Sequence, residues 1–288
     1  MAQLKVGLAQ INPILGDVQR NLKLHLERIE EAKKQQVELL CFPELSLTGY
    51  VLKDLVADVS IKATERSSPM AELLAASRDL DLLFGFVEQD HRYRYFISAA
   101  YLSQGQIVHV HRKVYLPTYG MFEEGRFLAT GDRFRAFDTR FGRMGTLICE
   151  DFWHMSSAYC LWLDGADVLL LLSASPGRGL SPDAALGSSR SVELMNQMYA
   201  TFLTAFVLHC NRVGFEDGLN FWGGSTVFGP DGTLLAQAPY FGESLLVVTL
   251  DLSALRRARI QLPLLRDERA PLLFKEMQRI MHVADYEP

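Results

Sequence analysis

The sequence predicts a mixed α/β domain, built on one mixed sheet or on two sheets packed face to face, with helices outside. Three observations carry this. Apolar runs of strand length recur along the chain and alternate with amphipathic segments of helical period. Several successive runs are joined by tight glycine-containing turns and read as hairpins, which a purely parallel sheet lacks. No linker-like stretch and no fixed-period repeat interrupts the 288 residues. One domain is therefore expected, with a core over about 4–252 and a charged extension, helical in stretches, over about 253–288.

In chain order, Leu4 to Gln10 reads as a strand, and Asn12-Pro13 with Gly16-Asp17 as a turn. Asn21 to Gln36 carries Leu22, Leu26 and Ile29 at helical spacing among charges. Val37 to Phe42 returns as a strand that stops at Pro43, which leaves Glu44 just past its carboxyl end. Met70 to Leu80 reads as a helix and Asp81 to Val87 as the next strand. Phe96 to Ser103 and Gln106 to Val110 flank Gly105 as a hairpin, followed by the basic His111-Arg112-Lys113 and an aromatic loop to Gly131. Loops of that length in a domain are usually functional or disordered, and this one is too aromatic for disorder.

Phe134 to Asp138 and Met144 to Cys149 bracket Gly142 as a second hairpin. Ser156 to Leu163 reads as a helix and Val168 to Leu172 as a strand buried on both faces, ending in Ser175-Pro176-Gly177-Arg178-Gly179. Ser188 to Thr204 reads as a helix and Phe206 to Asn211 as a strand. Gly224 to Phe228 and Leu245 to Leu250 read as a third hairpin, with Pro230-Asp231-Gly232 as its turn.

The balance of 29 basic and 34 acidic residues, a net charge of −5, leaves no electrostatic footprint for nucleic acid or an anionic membrane. A small-molecule substrate is expected. The start of the chain lacks a signal-peptide pattern and no apolar stretch reaches the length of a membrane span, so a cytoplasmic protein is expected. Cys41, Cys149, Cys160 and Cys210 show no paired spacing, and no Cys-x-x-Cys or His-x-x-x-His pattern suggests zinc. Neither a disulfide framework nor a metal is expected.

The chemistry centres on Cys149-Glu150-Asp151-Phe152-Trp153. A free cysteine is usually a small buried hydrophobe. Here two carboxylates follow at once, and they cannot be buried unpaired at reasonable cost. The thiol thus sits at a polar sheet edge. A thiol becomes a nucleophile only with a base or a positive neighbour. His154 is one candidate base, and Glu44, at an equivalent strand end, is the other. Lys113 would lower a neighbouring thiol's pKa or steady an oxyanion. Thiol, base and cation together suit acyl transfer.

Three segments, Phe42-Pro43-Glu44-Leu45-Ser46-Leu47-Thr48-Gly49-Tyr50, Arg112-Lys113-Val114-Tyr115-Leu116-Pro117-Thr118-Tyr119 and Leu147-Ile148-Cys149-Glu150-Asp151-Phe152-Trp153, resemble the signature blocks of the nitrilase, or carbon-nitrogen hydrolase, superfamily. Asn211-Arg212-Val213-Gly214 with Gly223-Gly224-Ser225 resembles a fourth block. The resemblance implies a four-layer α-β-β-α sandwich, a homo-oligomer and a Glu-Lys-Cys triad of Glu44, Lys113 and Cys149. It implies amide hydrolysis through a thioester, with the Glu150 backbone N–H beside Lys113 at the oxyanion and no cofactor. A supporting second glutamate is implied in Phe122-Glu123-Glu124-Gly125-Arg126, where the pattern favours Glu124 over Glu123. Within the superfamily the chain resembles the glutaminase domain of glutamine-dependent NAD synthetases. That likeness implies a glutamine pocket lined by Tyr50, Tyr119, Phe122 and Ser175, and a synthetase as partner. Leu172 and Arg178-Gly179-Leu180 depart from that domain's pattern, which leaves Arg178 or Arg190 as candidates for a substrate carboxylate. Nitriles and N-carbamoyl compounds are the alternative substrates that the same triad serves.

Overall fold

The computed structural model describes residues 3–64, 69–178 and 187–284. Its first half builds one sheet. β1 (Gln3–Gln10) leads into α1 (Val18–Lys34), which Asp17 caps through its side chain on the Arg20 amide at 3.0 Å. α1 buries Leu22, His25, Ile29 and Ala32, one face at helical spacing, and its charges point outward. β2 (Leu39–Cys41), α2 (Met70–Ala76), β3 (Asp81–Gln89), β4 (Tyr95–Ser103) and β5 (Gln106–Arg112) follow. β1, β2 and β3 pair in parallel, whereas β4 and β5 add antiparallel as the predicted hairpin.

The second half repeats the plan with β6 (Phe137–Thr139), β7 (Gly142–Ile148), α3 (Met155–Leu163), β8 (Val168–Ser173), α4 (Gly187–Leu203) and β9 (Phe206–Asn211). β7, β8 and β9 are the parallel centre of a second six-stranded sheet. β10 (Val213–Glu216) and β11 (Leu219–Trp222) form a separate hairpin. β12 (Thr226–Phe228) and β13 (Leu234–Gln237) extend the second sheet, and β14 (Ser244–Asp251) returns to the first, antiparallel to β1. α5 (Ser253–Gln261) and α6 (Ala270–Ala284) complete the described chain.

Alternation along the central strands assigns the layers. On β8, Val168, Leu170 and Leu172 join the core between the sheets, whereas Leu169 and Leu171 join the core under α3 and α4. On β3, Leu83 and Val87 face the intersheet core, whereas Leu82, Phe84 and Phe86 face α1 and α2. Each strand is thus covered on both faces, which is why these runs are continuously apolar. The result is the four-layer α-β-β-α sandwich. No helix among the described residues is long and apolar enough to cross a membrane.

One hairpin reading is corrected. Gly224 to Leu250 is not a single hairpin, because the Pro230-Asp231-Gly232 turn joins β12 to β13, while β14 belongs to the other sheet. β13 is an edge strand exposed along most of its length, so it carries no apolar alternation to reveal it. The β10–β11 hairpin was also unforeseen, although its two-residue turn, Asp217-Gly218, is a standard signal: both residues take positive φ, 48° and 80°.

Candidate active site

Three strand ends converge at one edge of the sandwich. Glu44 follows β2 in a turn that packs on Gly85 of β3. A Cβ at Gly85 would lie 2.4 Å from the Leu45 nitrogen and 2.7 Å from the Pro43 carbonyl oxygen, so the position admits no side chain. Lys113 directly follows β5, and its amide donates to the Ile97 carbonyl on β4 at 2.8 Å. Cys149 follows β7 and opens a helical turn, Cys149–Trp153, with φ 44°. Left-handed backbone at a non-glycine residue costs on the order of 1–3 kcal/mol and is kept where the surroundings impose it.

These residues form one buried polar cluster. The Lys113 ammonium donates to Glu44 Oε1 at 2.8 Å and to Glu124 Oε1 at 2.9 Å. Glu44 Oε2 accepts the amide of Ala174, just past β8, at 2.9 Å, so Glu44 bridges the two sheets. Tyr50 donates its hydroxyl to Glu124 at 2.5 Å. Burial works against the charge of Lys113, but Glu124 and Glu44 outweigh it and hold the ammonium well above its usual pKa. Burial lifts Glu124 to about 7; Lys113 opposes this and the Glu44 charge adds to it. Burial, then the Glu44 charge, push the Cys149 thiol well above its ordinary value, with Lys113 pulling the other way. The resting sulfur is therefore a thiol held in the field of a carboxylate and an ammonium.

The turn after Cys149 is braced by its own carboxylates. Asp151 is fully buried; one oxygen accepts the amides of Val114 and Tyr115 at 2.9 and 3.0 Å, and the other the Ile148 amide at 3.1 Å. Glu150 instead accepts the Tyr119 hydroxyl at 2.9 Å. His154 stacks on Tyr115 at 3.6 Å, with Nε2 4.0 Å from Glu150, and takes no part in the buried cluster.

A cavity of about 390 Å³ opens on Cys149. Tyr119, Phe122, Glu150 and Ser175 line it together with Trp153 and Arg178. Tyr50 does not: its ring lies edge-on to Phe122 and its hydroxyl is spent on Glu124. The Arg178 guanidinium sits over the Phe122 ring at 4.3 Å and has no ion-pair partner among the described residues. Arg190 is exposed and outside the lining; Gly179 and Leu180 lie outside the described residues. Among the described residues no group of three or more His, Cys, Asp or Glu could hold a metal ion. Arg212, which the sequence offers only as part of the fourth block, and Glu216, which it does not single out, form a buried ion pair at 2.7 Å behind Tyr50. The Asp217-Gly218 turn, once read as a hairpin, would have placed Glu216 at a strand end.

A thiol, a carboxylate and an ammonium gathered at the strand ends of a four-layer sandwich are the groups that acyl transfer calls for. Residues 5–260 match the carbon-nitrogen hydrolase family, and the chain belongs to that family, whose members act on C–N bonds other than peptide bonds. The glutamine-dependent NAD(+) synthetase of Acinetobacter baylyi is 33% identical over 263 residues, 90% of this chain and 46% of that protein. The nitrilase of Pyrococcus abyssi is 32% identical over 263 residues, 89% of this chain and 93% of that protein. Among solved structures, the glutamine-dependent NAD+ synthetase of Acinetobacter baumannii superposes with a TM-score of 0.77 at 32% identity, covering 87% of this chain and 46% of that one. The chain thus spans about half the length of the NAD synthetases it matches.

Proposed function

We propose that this chain is a thiol amidohydrolase that cleaves a small linear amide bearing a carboxylate, glutamine-like in shape, and releases ammonia. The observation that supports this is the buried Glu44–Lys113–Glu124 cluster, which shares one field with the Cys149 thiol on a cavity that also holds Arg178, without an ion-pair partner among the described residues. In this reading Glu44 takes the Cys149 proton as the sulfur attacks the amide carbonyl. The Lys113 ammonium and the Glu150 backbone N–H meet the oxyanion. Glu44 passes its proton to the leaving nitrogen, ammonia departs, and a thioester remains on Cys149. Water deprotonated by Glu44 then attacks the thioester, and collapse returns the proton to sulfur and frees the acid. No cofactor enters these steps. Glu124 fixes Lys113, Tyr119, Phe122 and Ser175 shape the cavity, and Arg178 receives the substrate carboxylate.

Cys149→Ala is expected to abolish ammonia release from glutamine-like amides, and brief exposure of the native protein to such an amide to leave an acyl adduct on Cys149 in the intact mass. Ammonia release that survived the substitution would sink the triad assignment. The match to the Pyrococcus abyssi nitrilase over nearly all of its length favours nitriles as a second substrate class. Comparing kcat/KM over amides, nitriles and N-carbamoyl amino acids separates the classes.

The likeness to NAD synthetases supports delivery of the ammonia to an ATP-dependent synthetase. Co-purification with such a partner, and stimulation by it, are expected; full turnover by the chain alone would count against this. The reading also includes self-association, supported by the exposed Leu273, Phe274, Met277 and Ile280 on α6, and light scattering reads it directly.

A further inference from the structure

The β10–β11 hairpin lies outside the substrate cavity, yet it seats Tyr50. Glu216, the last residue of β10, is buried, and its Oε1 accepts the amides of Tyr50 at 2.8 Å and Val51 at 2.6 Å. Its Oε2 accepts from the Arg212 guanidinium at 2.7 Å. Arg212 is fully buried over the Phe221 ring at 4.2 Å, and that ring meets Tyr50 at 5.9 Å. The fit is close: Gly49 has φ 79°, and a Cβ there would lie 2.9 Å from Glu216 Oε2. A buried ion pair is rarely more stabilising than well-packed apolar residues of the same volume. The Arg212–Glu216 pair is therefore poorly accounted for by stability, whereas one of its oxygens is aimed at two backbone amides.

We infer that Glu216 is a positioning residue for the proposed reaction: by holding the Tyr50 and Val51 amides it places the Tyr50 hydroxyl on Glu124, and so fixes where Glu124 holds Lys113. This rests on the reading of Glu44, Lys113 and Cys149 given above. The relay is continuous, from Tyr50 to Glu124 at 2.5 Å, from Lys113 to Glu124 at 2.9 Å, and from Lys113 to Glu44 at 2.8 Å. Tyr50 and Lys113 donate to the same oxygen, Glu124 Oε1, so a displaced Tyr50 leaves that oxygen to Lys113 alone and lets Glu124 and Lys113 shift from their place beside Glu44. Since the Tyr50 hydroxyl is engaged by Glu124 and acts through Lys113, the effect is expected on the chemical step, with substrate binding nearly unchanged.

The experiment replaces both charges at once, so that neither is left buried alone. In Glu216→Leu with Arg212→Met, kcat per alkylatable Cys149 thiol is expected to fall by about tenfold or more, with KM within about threefold, because small misplacements of reacting groups are costly. In Glu216→Gln with Arg212→Met the amide oxygen still accepts both N–H groups, and kcat is expected to recover to within about threefold of the native value. If the leucine variant does not fold, Phe221→Leu removes the ring that packs on Tyr50 and under Arg212 while keeping the Glu216 carboxylate, and is expected to lower kcat by about threefold or more with KM within about threefold. Native kcat in the folded leucine variant, or in Phe221→Leu if it is the one that folds, overturns the inference if Cys149→Ala is inactive. Activity in Cys149→Ala itself overturns the parent reading instead.

Discussion

Asp151 Oδ2 and His111 Nε2 meet at 2.8 Å, both side chains buried, where β5 ends beside the turn that follows β7. The same carboxylate takes the Ile148 amide just before Cys149, and its other oxygen takes the amides of Val114 and Tyr115 just after Lys113. One aspartate thus sets the spacing of the proposed nucleophile and its cation. Asp151→Asn keeps the shape but turns an acceptor toward these donors as a donor. It should cost about 1–3 kcal/mol for the unsatisfied buried group, a fall in Tm of roughly 2–5 °C, and kcat should drop more than the folded fraction does. An unchanged melting curve would remove this role from Asp151.

The pH dependence follows from Glu124. Its folded value, raised by burial from 4.5 to about 7, lies above that of the unfolded chain. The folded protein therefore binds this proton more tightly, and the contribution to stability is present in full at low pH and is lost as pH rises from about 4.5 through about 7. Thermal unfolding of native protein and Glu124→Gln, measured side by side across that window, should show the native protein losing ground to the variant as pH rises. A difference that stays flat, or runs the other way, would contradict the burial of this carboxyl.

Gly85 lies on β3, outside the cluster, but its backbone touches the turn that carries Glu44. Gly85→Ala places a methyl 2.4 Å from the Leu45 nitrogen. Overpacking of that kind costs about 1–3 kcal/mol, and the strain must move either β3 or Glu44. Urea denaturation is expected to show the loss, and ammonia release by the remaining folded protein should fall with it. A fully active, equally stable alanine variant would mean that the turn tolerates a shift.

Arg178 is the test of substrate class. Arg178→Ala should raise KM for carboxylate-bearing amides by roughly 10- to 100-fold, the worth of one charge-assisted hydrogen bond. Neutral aliphatic amides should be nearly indifferent to it. Equal losses on both kinds of amide would assign Arg178 to the shape of the cavity through Phe122 rather than to recognition.

The local pattern of the sequence determined a good deal. The period-2 and continuous apolar runs mark β1, β3, β8 and β9, and the breaks at Pro43 and Cys149 place Glu44 and Cys149 past strand ends before any contact is known. The mixed α/β class follows from the same runs and the tight turns between them, whereas the four-layer α-β-β-α sandwich was implied by the family resemblance. What only the tertiary structure decided is which ends meet. β14 crosses to β1 rather than closing on β12, Tyr50 reaches Glu124 across 74 residues, and Glu216 reaches Tyr50 across 166. Period and composition describe one segment at a time, whereas a hydrogen bond between distant segments leaves no mark on either of them alone. Cys149 could be suspected from its neighbours, but the field that holds it as a thiol, and the carboxylates and lysine that supply that field, exist only once three strand ends are brought to one edge.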